Sequence, residues 1–270
     1  MDTILTQRAE KGSRRVVWMP ADGRPKVRRG DLDTLPSKDV LAIKRFVFLH
    51  HYAKTMSSPV RCFELWQKYE RVGVAVFSVC APAFQPPFGE HGSWLTLGRL
   101  VLLDEVGANA ESMFVAACFD ALRREGYEGV VSFSDPVPRT TASGHVIFLG
   151  HAGFVYRALN AVYTGRSKSE TKWLLPDGTV FETRAANKIK AGDIGRDYAE
   201  RMLVEHGAER IARGEDPAEW VARWRAKLCR PFLHKGNLRY AWSLDKGSRK
   251  FLPPGLPYPK FKAGIGLVAA

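Results

Sequence analysis

The run Val72–Cys80 (VGVAVFSVC) is apolar at almost every position. A strand with one face in water alternates apolar and polar residues, whereas a strand covered on both faces reads as a near-continuous hydrophobic run. We therefore expect a central strand here, inside a sheet whose two faces are both covered by other elements.

The flanking sequence supplies elements that can cover such a sheet. Ser37 is placed to cap a helix, and Asn109 is placed to cap a second one. Together the patterns predict a mixed α/β fold, with a central sheet flanked by helices. The predicted order is helix Ser37–His51, strands Arg61–Tyr69, Val72–Cys80 and Trp94–Leu103, helix Asn109–Arg124, strand Gly129–Phe133, helix Ala152–Leu159 and strand Val162–Tyr163.

Further elements follow this core. Thr171–Leu175 and Val180–Thr183 predict a hairpin, and Ile194–Arg213 and Pro217–Leu228 predict two helices, the second capped by Asp216. We divide the chain into a polar N-terminal arm (1–33), a catalytic core (34–192) and a helical, basic and aromatic C-terminal extension packed on the core (193–270).

The positive charge of the chain is concentrated near its end. The formal net charge is +13, and residues 221–270 hold 11 Lys/Arg against one acid, Asp245. Cations with interleaved aromatics favour nucleic acid, because bases stack on rings while cations hold phosphates. The alternative is a solvated tail whose aromatics dock on the core. The residues assigned to the nucleic-acid interface are Arg139, Lys235, Arg239, Tyr240, Trp242, Lys246, Arg249, Lys250 and Lys260.

Other classes of protein are disfavoured. No apolar run approaches the roughly 20 residues of a membrane span, and the N-terminus lacks the apolar core of a secretory signal, so we expect a cytoplasmic protein. The four cysteines form no CxxC pair and read as buried thiols. The histidines show no known ligand spacing, so we expect no metal site.

Polar residues at strand ends are the candidates for chemistry. Arg99 interrupts an apolar strand and must be paired; it is either a structural partner or an anion and carbonyl clamp. Ser134 and Asp135 follow a buried strand, where α/β proteins commonly bind ligands. Asp135 could accept a proton and Ser134 could orient a base, although the same residues suit a plain turn.

Several strings resemble the phage Mom family of DNA-modification proteins, and the order of elements resembles the GNAT acyltransferase fold. The strings are Phe48-Leu-His-His-Tyr52, Gly98-Arg-Leu-Val-Leu-Leu-Asp-Glu105, Ser132-Phe-Ser-Asp-Pro136, Gly153-Phe-Val-Tyr156 and Leu256-Pro-Tyr-Pro-Lys260. The resemblance covers roughly residues 40–190 and the C-terminal stretch.

The resemblance implies an activity and roles for further residues. Mom-like proteins place a carbamoylmethyl group on N6 of adenine, which protects phage DNA from restriction, so the implied acceptor partner is DNA. His51 and Tyr52 would belong to the site, and Tyr156 matches the general acid of GNAT enzymes. Gly107 and Asn109 fall in the stretch that matches the coenzyme A loop.

The donor stays open between two chemistries. Asp104, Glu105 and Glu111 surround the expected phosphate cradle and would repel a pyrophosphate, which disfavours acetyl-CoA. A glycyl amide and a carbamoylmethyl group on N6 are isomers, so glycyl-tRNA could serve as the donor. Two other functions remain: an acetyl-CoA-dependent N-acyltransferase acting on a small molecule or protein, and a non-catalytic DNA-binding protein.

Overall fold

The computed structural model describes residues 8–9, 16–17, 27–51, 53, 55–81, 93–103, 105–107, 109–148, 150–261 and 267–268. The chain forms two compact units. Unit 1 comprises Met1–Pro136, Gly150–Ser167 and Asn237–Ala270, and unit 2 comprises Val137–Leu149 and Lys168–Gly236. Each unit therefore contains residues of both the predicted catalytic core (34–192) and the predicted C-terminal extension (193–270).

The described residues contain short and long strands, six α-helices and two 3-10 helices. The strands are β1 Arg8–Ala9, β2 Val16–Val17, β3 Asp33–Ser37, β4 Pro59–Gln67, β5 Glu70–Val79, β6 Trp94–Leu102, β7 Gly129–Ser134, β8 Arg139–Thr140, β9 Val146–Phe148, β10 Val162–Arg166, β11 Glu170–Leu174, β12 Val180–Phe181, β13 Arg230–His234, β14 Leu238–Ser243, β15 Lys260–Phe261 and β16 Leu267–Val268. The helices are α1 Val40–His50, α2 Ala110–Arg124, α3 Phe154–Ala158, α4 Thr183–Ala191, α5 Arg196–Val204 and α6 Pro217–Leu228, and the 3-10 helices are Arg29–Asp31 and Ser248–Phe251.

Unit 1 is built on a seven-stranded sheet in the order β10-β14-β7-β6-β5-β4-β3. Its strands pair antiparallel except β6 and β7, which are parallel. The predicted mixed α/β sheet flanked by helices is confirmed.

The central position of β5 follows from its sequence. Val74 and Val76 pack in one apolar cluster with residues of α1, while Ala75 and Phe77 pack in another with residues of α2. Alternate side chains thus enter opposite layers, and all four are fully buried. A continuous apolar run is the only pattern that suits both layers.

The start of α1 differs from the prediction. The helix begins at Val40, and Asp39 caps it by accepting a hydrogen bond from the Ala42 N–H at 2.9 Å. Ser37 instead closes β3, a strand that the sequence did not reveal, and its hydroxyl donates to Glu64 at 2.8 Å. The stronger acceptor two residues later takes the cap.

Unit 2 has its own apolar cluster, formed by three helices and the small sheet β12-β11-β13. The predicted helix α6 is confirmed, with Asp216 as its cap and Pro217 in its first turn. The predicted helix Ile194–Arg213 is shorter, because α5 ends at Val204 and is followed by Gly207 with φ of 108°. The preceding helix, α4, was missed.

Unit 2 enters the chain as two insertions into unit 1. One follows β7, and the other lies between β10 and β14. Leu238 at the start of β14 pairs with Ser134 on one side and with Arg166 on the other. The first insertion is followed along the chain by α3 and the second by β14.

Candidate active site

Two neighbouring strands of the central sheet separate at their carboxyl ends. β6 and β7 pair from Trp94 opposite Gly129 to Leu97 opposite Ser132. Beyond that point β6 runs on, and the last residues of β7 pair with β14. The resulting opening lies at the edge where open α/β sheets commonly bind ligands.

A β-bulge in β6 lies beside this opening. The register with β5 shifts between Leu97 and Arg99, so Gly98 is the extra residue. A Cβ atom on Gly98 would lie 3.1 Å from the hydroxyl oxygen of Ser57. Glycine at this position therefore lets the segment after α1 come close to the strand.

Arg99 holds that segment in place. Its Nε donates to the Thr55 carbonyl at 2.5 Å and its Nη2 to the Thr55 hydroxyl at 2.9 Å, while Nη1 donates to the Gly98 carbonyl at 2.5 Å. These bonds account for a half-buried cation in an apolar strand. A clamp on a substrate oxygen stays a prediction.

Tyr156 projects from α3 into the core beside the opening. Its ring makes edge contacts with Tyr240 and Trp242, each at a centroid distance of 5.4 Å. Gly153 has φ of 67°, and a Cβ there would lie 2.6 Å from the Tyr156 ring, so glycine permits this packing.

Opposing influences act on the pKa of the Tyr156 hydroxyl. Burial raises its pKa, while a hydrogen bond with Ser132 and the charge of Arg99 oppose the rise. Ser132 is fully buried and its hydroxyl also donates to the Leu97 carbonyl at 2.9 Å. The sequence placed Ser132 at the strand end but assigned it no role; its link to Tyr156 depends on α3 and was not readable from spacing.

Ser134 and Asp135 lie at the end of β7, as the sequence suggested. Ser134 is fully buried next to Tyr240, whose pKa is raised by burial and moderated by the Ser134 hydroxyl. The Asp135 carbonyl accepts from the His151 N–H at 2.7 Å. The structure thus brings His151, to which the sequence assigned no role, to the end of β7.

His51 ends α1 and accepts a hydrogen bond from the Ala53 N–H at its Nδ1, at 3.0 Å. Thr55, the partner of Arg99, follows His51 four residues later in the chain. Tyr52 lies outside the described residues. The site roles of His51 and Tyr52 stay predictions.

The described residues at the start of α2 include Gly107 and Asn109, which the sequence resemblance matched to the coenzyme A loop. Asn109 occupies the N-cap position without capping the helix, because its amide group pairs with the Val27 backbone N–H and carbonyl at 2.9 and 3.0 Å. Gly107 is buried, Glu105 precedes it in the turn and is exposed, and Glu111 follows in the first turn of α2. Asp104 lies outside the described residues.

Four residues assigned to the nucleic-acid interface have contacts inside the protein. Tyr240 and Trp242 are 1% and 5% exposed, because they belong to β14 inside the sheet rather than to a surface tail. Arg139 is buried in unit 2 with its guanidinium over the Phe148 ring. Arg239 donates to the hydroxyl and carbonyl of Thr164. The predicted stacking roles of Tyr240 and Trp242 and the predicted phosphate role of Arg139 are corrected. Arg239 is half-buried, and its phosphate role stays a prediction.

The remaining cations of the predicted interface lie in several places. Lys235 is exposed in unit 2. Lys246, Arg249 and Lys250 are exposed in the turn after β14, which we call the basic turn. The side chain of Lys260 lies outside the described residues.

The basic turn and the opening lie at opposite ends of β7. Ser243 at the end of β14 pairs with Gly129 at the start of β7, whereas Leu238 pairs with Ser134 at its end. The Ser248 hydroxyl holds the basic turn beside the start of β7, because it donates to the Glu128 carbonyl at 2.7 Å.

Two further findings concern the described residues alone. They contain no cluster of three or more His, Cys, Asp or Glu side chains arranged to hold a metal ion. None of their helices is both long and apolar enough to cross a membrane.

Comparison with known proteins gives one family match. The model of the Mom protein family matches residues 37–215, which is more than half of the chain. The search of curated proteins finds no match.

Similar solved structures are acetyltransferases. A GNAT family N-acetyltransferase from Escherichia coli in complex with CoA is 16% identical with a TM-score of 0.32, and the match covers 39% of this chain and 62% of that one. An N-acetyltransferase from Staphylococcus aureus is 11% identical with a TM-score of 0.37, covering 79% and 99%. A polyamine N-acetyltransferase from Drosophila melanogaster is 10% identical with a TM-score of 0.36, covering 78% and 100%. These likenesses carry no information about substrate.

Proposed function

The chain belongs to the Mom protein family, and on that premise we propose that it is a transferase that converts adenine in DNA to its N6-carbamoylmethyl derivative. The observation that carries the proposal is the opening between β6 and β7, beside which the Tyr156 hydroxyl is buried. The positive charge of Arg99 opposes the rise that burial causes in the pKa of this hydroxyl. A proton donor beside a cation suits the expulsion of an alkoxide from an acyl ester.

The proposed donor is an activated glycyl ester, such as glycyl-tRNA. Adenine N6 attacks the ester carbonyl carbon, Asp135 accepts the N6 proton, and the ester carbon–oxygen bond breaks as Tyr156 protonates the departing oxygen. The glycyl amine then attacks ring carbon six through a five-membered ring, and the bond from that carbon to the original N6 breaks. The original N6 becomes the amide nitrogen of a carbamoylmethyl group.

Acetyl-CoA is the alternative donor, and the residues at the start of α2 disfavour it. The amide of Asn109 is engaged by Val27, and the acids Glu105 and Glu111 compete with a pyrophosphate for the same helix end. An ester donor without a pyrophosphate has no need of that cradle.

We expect DNA from bacteria that express this chain to contain a modified deoxyadenosine. If a glycyl unit is added with loss of its ester alcohol, the nucleoside gains about 57 mass units. Mass spectrometry of enzymatically digested DNA measures the product, with cells that express Tyr156→Phe as the matched control. An unchanged nucleoside profile from soluble, folded protein would contradict the proposal, and a gain that corresponds to an acetyl group would favour acetyl-CoA.

Arg99→Lys should lower the modification rate by about tenfold or more. Lysine keeps the charge but cannot hold the Thr55 carbonyl and hydroxyl together, because it lacks the planar fork of the guanidinium. The rate of nucleoside formation in cells with matched protein levels measures the effect. Lys44→Arg, an exposed exchange on α1, is the control. A fully active Arg99→Lys enzyme would show that only charge matters here.

A further inference from the structure

The helices α4 and α5 of unit 2 form a tight hairpin. Residues 192–195 connect them, with Gly192 at φ of 70° and Gly195 at φ of 89°. Ala186 and Ile189 of α4 and Ala199 of α5 are buried in the apolar cluster of the unit. The opposite sides of both helices and the connecting turn therefore face outward, and we call this surface the α4–α5 hairpin.

The cations of α4 lack acidic partners. The helix carries Arg184, Lys188 and Lys190 and has no acidic residue within its bounds. In the described part of the chain, none of these three has a carboxylate within ion-pair distance. Their charge is therefore available to an external anion.

Two cations lie against the turn itself. A Cβ atom on Gly195 would lie 3.0 Å from Lys188 Nζ, and one on Gly192 would lie 4.0 Å from an Arg196 nitrogen. Arg196 also lies 3.5 Å from the Asp197 carboxylate, and the exposed Asp193 lies in the same turn. The net positive charge of the α4–α5 hairpin therefore comes from Arg184, Lys188 and Lys190 of α4. Such a surface matches a run of phosphates rather than a single small anion.

An isoleucine protrudes from the same turn. Ile194 is 97% exposed, so it contributes almost nothing to the core of the unit. Ile194 lies between Asp193 and Gly195 in the turn, with Lys188 close by. Proteins that bind the minor groove of DNA insert an apolar side chain of this kind as a wedge while nearby cations bind the flanking phosphates. The wide, shallow minor groove of A-form RNA gives a single protruding side chain less to contact.

We propose that the α4–α5 hairpin binds the sugar–phosphate backbone of duplex DNA without regard to sequence, with Ile194 in the minor groove. The hairpin is distinct from the opening between β6 and β7 and from the basic turn. The choice of DNA over other polyanions rests on the proposed function, whereas the location of the surface rests on Lys188, Ile194 and Arg196.

The test is a salt titration of duplex-DNA binding by the full chain, followed by fluorescence anisotropy. The double variant Lys188→Gln, Lys190→Gln should make the log–log salt slope shallower by about two units, since each phosphate contact contributes about 0.9. Ile194→Ser should weaken binding about tenfold without changing the slope, as expected when an apolar side chain of this size loses its burial. The control is Arg210→Gln, Arg213→Gln, which removes the same charge from exposed positions beyond the far end of α5.

The outcomes separate this proposal from the proposed function. If the wild type binds duplex and modifies DNA while the hairpin variants bind as tightly as the control, the hairpin proposal is wrong and the enzyme proposal stands. If the variants lose affinity for an RNA stem-loop and keep their affinity for duplex DNA, the surface binds RNA and the proposal is overturned. Loss of duplex affinity in both hairpin variants, with thermal unfolding equal to that of the control, supports it even if no modified nucleoside is found.

Discussion

Tyr156→Phe should lower the rate of adenine modification by about a hundredfold or more, the usual contribution of a proton-transfer group. The change removes one oxygen and leaves the ring contacts with Tyr240 and Trp242 intact. Ser132 keeps its hydrogen bond to the Leu97 carbonyl, so no hydroxyl is left without a partner. Folding should therefore change little, and the loss should appear in the rate of nucleoside formation.

The pH dependence tests the same role. Burial raises the pKa of Tyr156, so the phenol stays protonated at neutral and mildly alkaline pH and is able to donate. The rate should therefore not fall through loss of this proton until the pH exceeds the ordinary pKa of tyrosine, about 10.

Asp135→Asn alone should lower the modification rate by a factor comparable to that of Tyr156→Phe, because it removes the proposed proton acceptor. Near wild-type rates in both variants would place the chemistry elsewhere.

Trp242→Ala should destabilise unit 1 by about 3–5 kcal/mol, the usual cost of emptying a buried tryptophan site. The side chain is 5% exposed, its ring contacts Phe119 at 5.1 Å, and its Nε1 donates to the Leu159 carbonyl at 3.1 Å. At about 2–4 °C per kcal/mol for a domain of this size, the midpoint of thermal unfolding should fall by about 6–20 °C.

Two further variants give this prediction its contrast. Trp242→Phe retains most of the ring volume and should lose less stability. Tyr69→Ala changes an aromatic that is 98% exposed and should leave the midpoint almost unchanged. If Trp242→Ala instead weakened DNA binding at an unaltered midpoint, the ring would stack on a base and not on the core.

The apolar run of β5 and the cap of α6 were readable from sequence because each depends on neighbours in the chain. β14 was not, because Arg239 and the aromatics beside it have the composition of a basic surface tail. Its identity as a core strand depends on pairing with β7 and β10, which are distant in sequence. Helix α4 was also missed, whereas α5, which begins at Arg196 after Gly195, lies within the predicted helix Ile194–Arg213.

Some residues of the candidate site could likewise be found from the sequence, and others could not. Arg99, Ser134 and Asp135 could be found because polar residues at the ends of apolar strands are conspicuous in the sequence. Ser132 and His151 could not be assigned, since the first acts through α3 and the second through a backbone contact across the edge of the sheet. Asn109 could be located at a helix start, but its pairing with Val27 depends on a segment about 80 residues earlier.

If the proposed function is correct and the basic turn binds DNA, its position at the start of β7 sets a minimum length for the DNA. With a rise of about 3.3 Å per residue, the six residues of β7 separate Gly129 from Ser134 by about 17 Å. A straight duplex advances about 3.4 Å per base pair. The length of β7 therefore corresponds to about five base pairs of DNA. A duplex that places adenine in the opening and reaches Lys246, Arg249 and Lys250 must extend at least that far beyond the target base. Shorter duplexes would lack those contacts and lose the share of the salt-dependent affinity that the basic turn contributes.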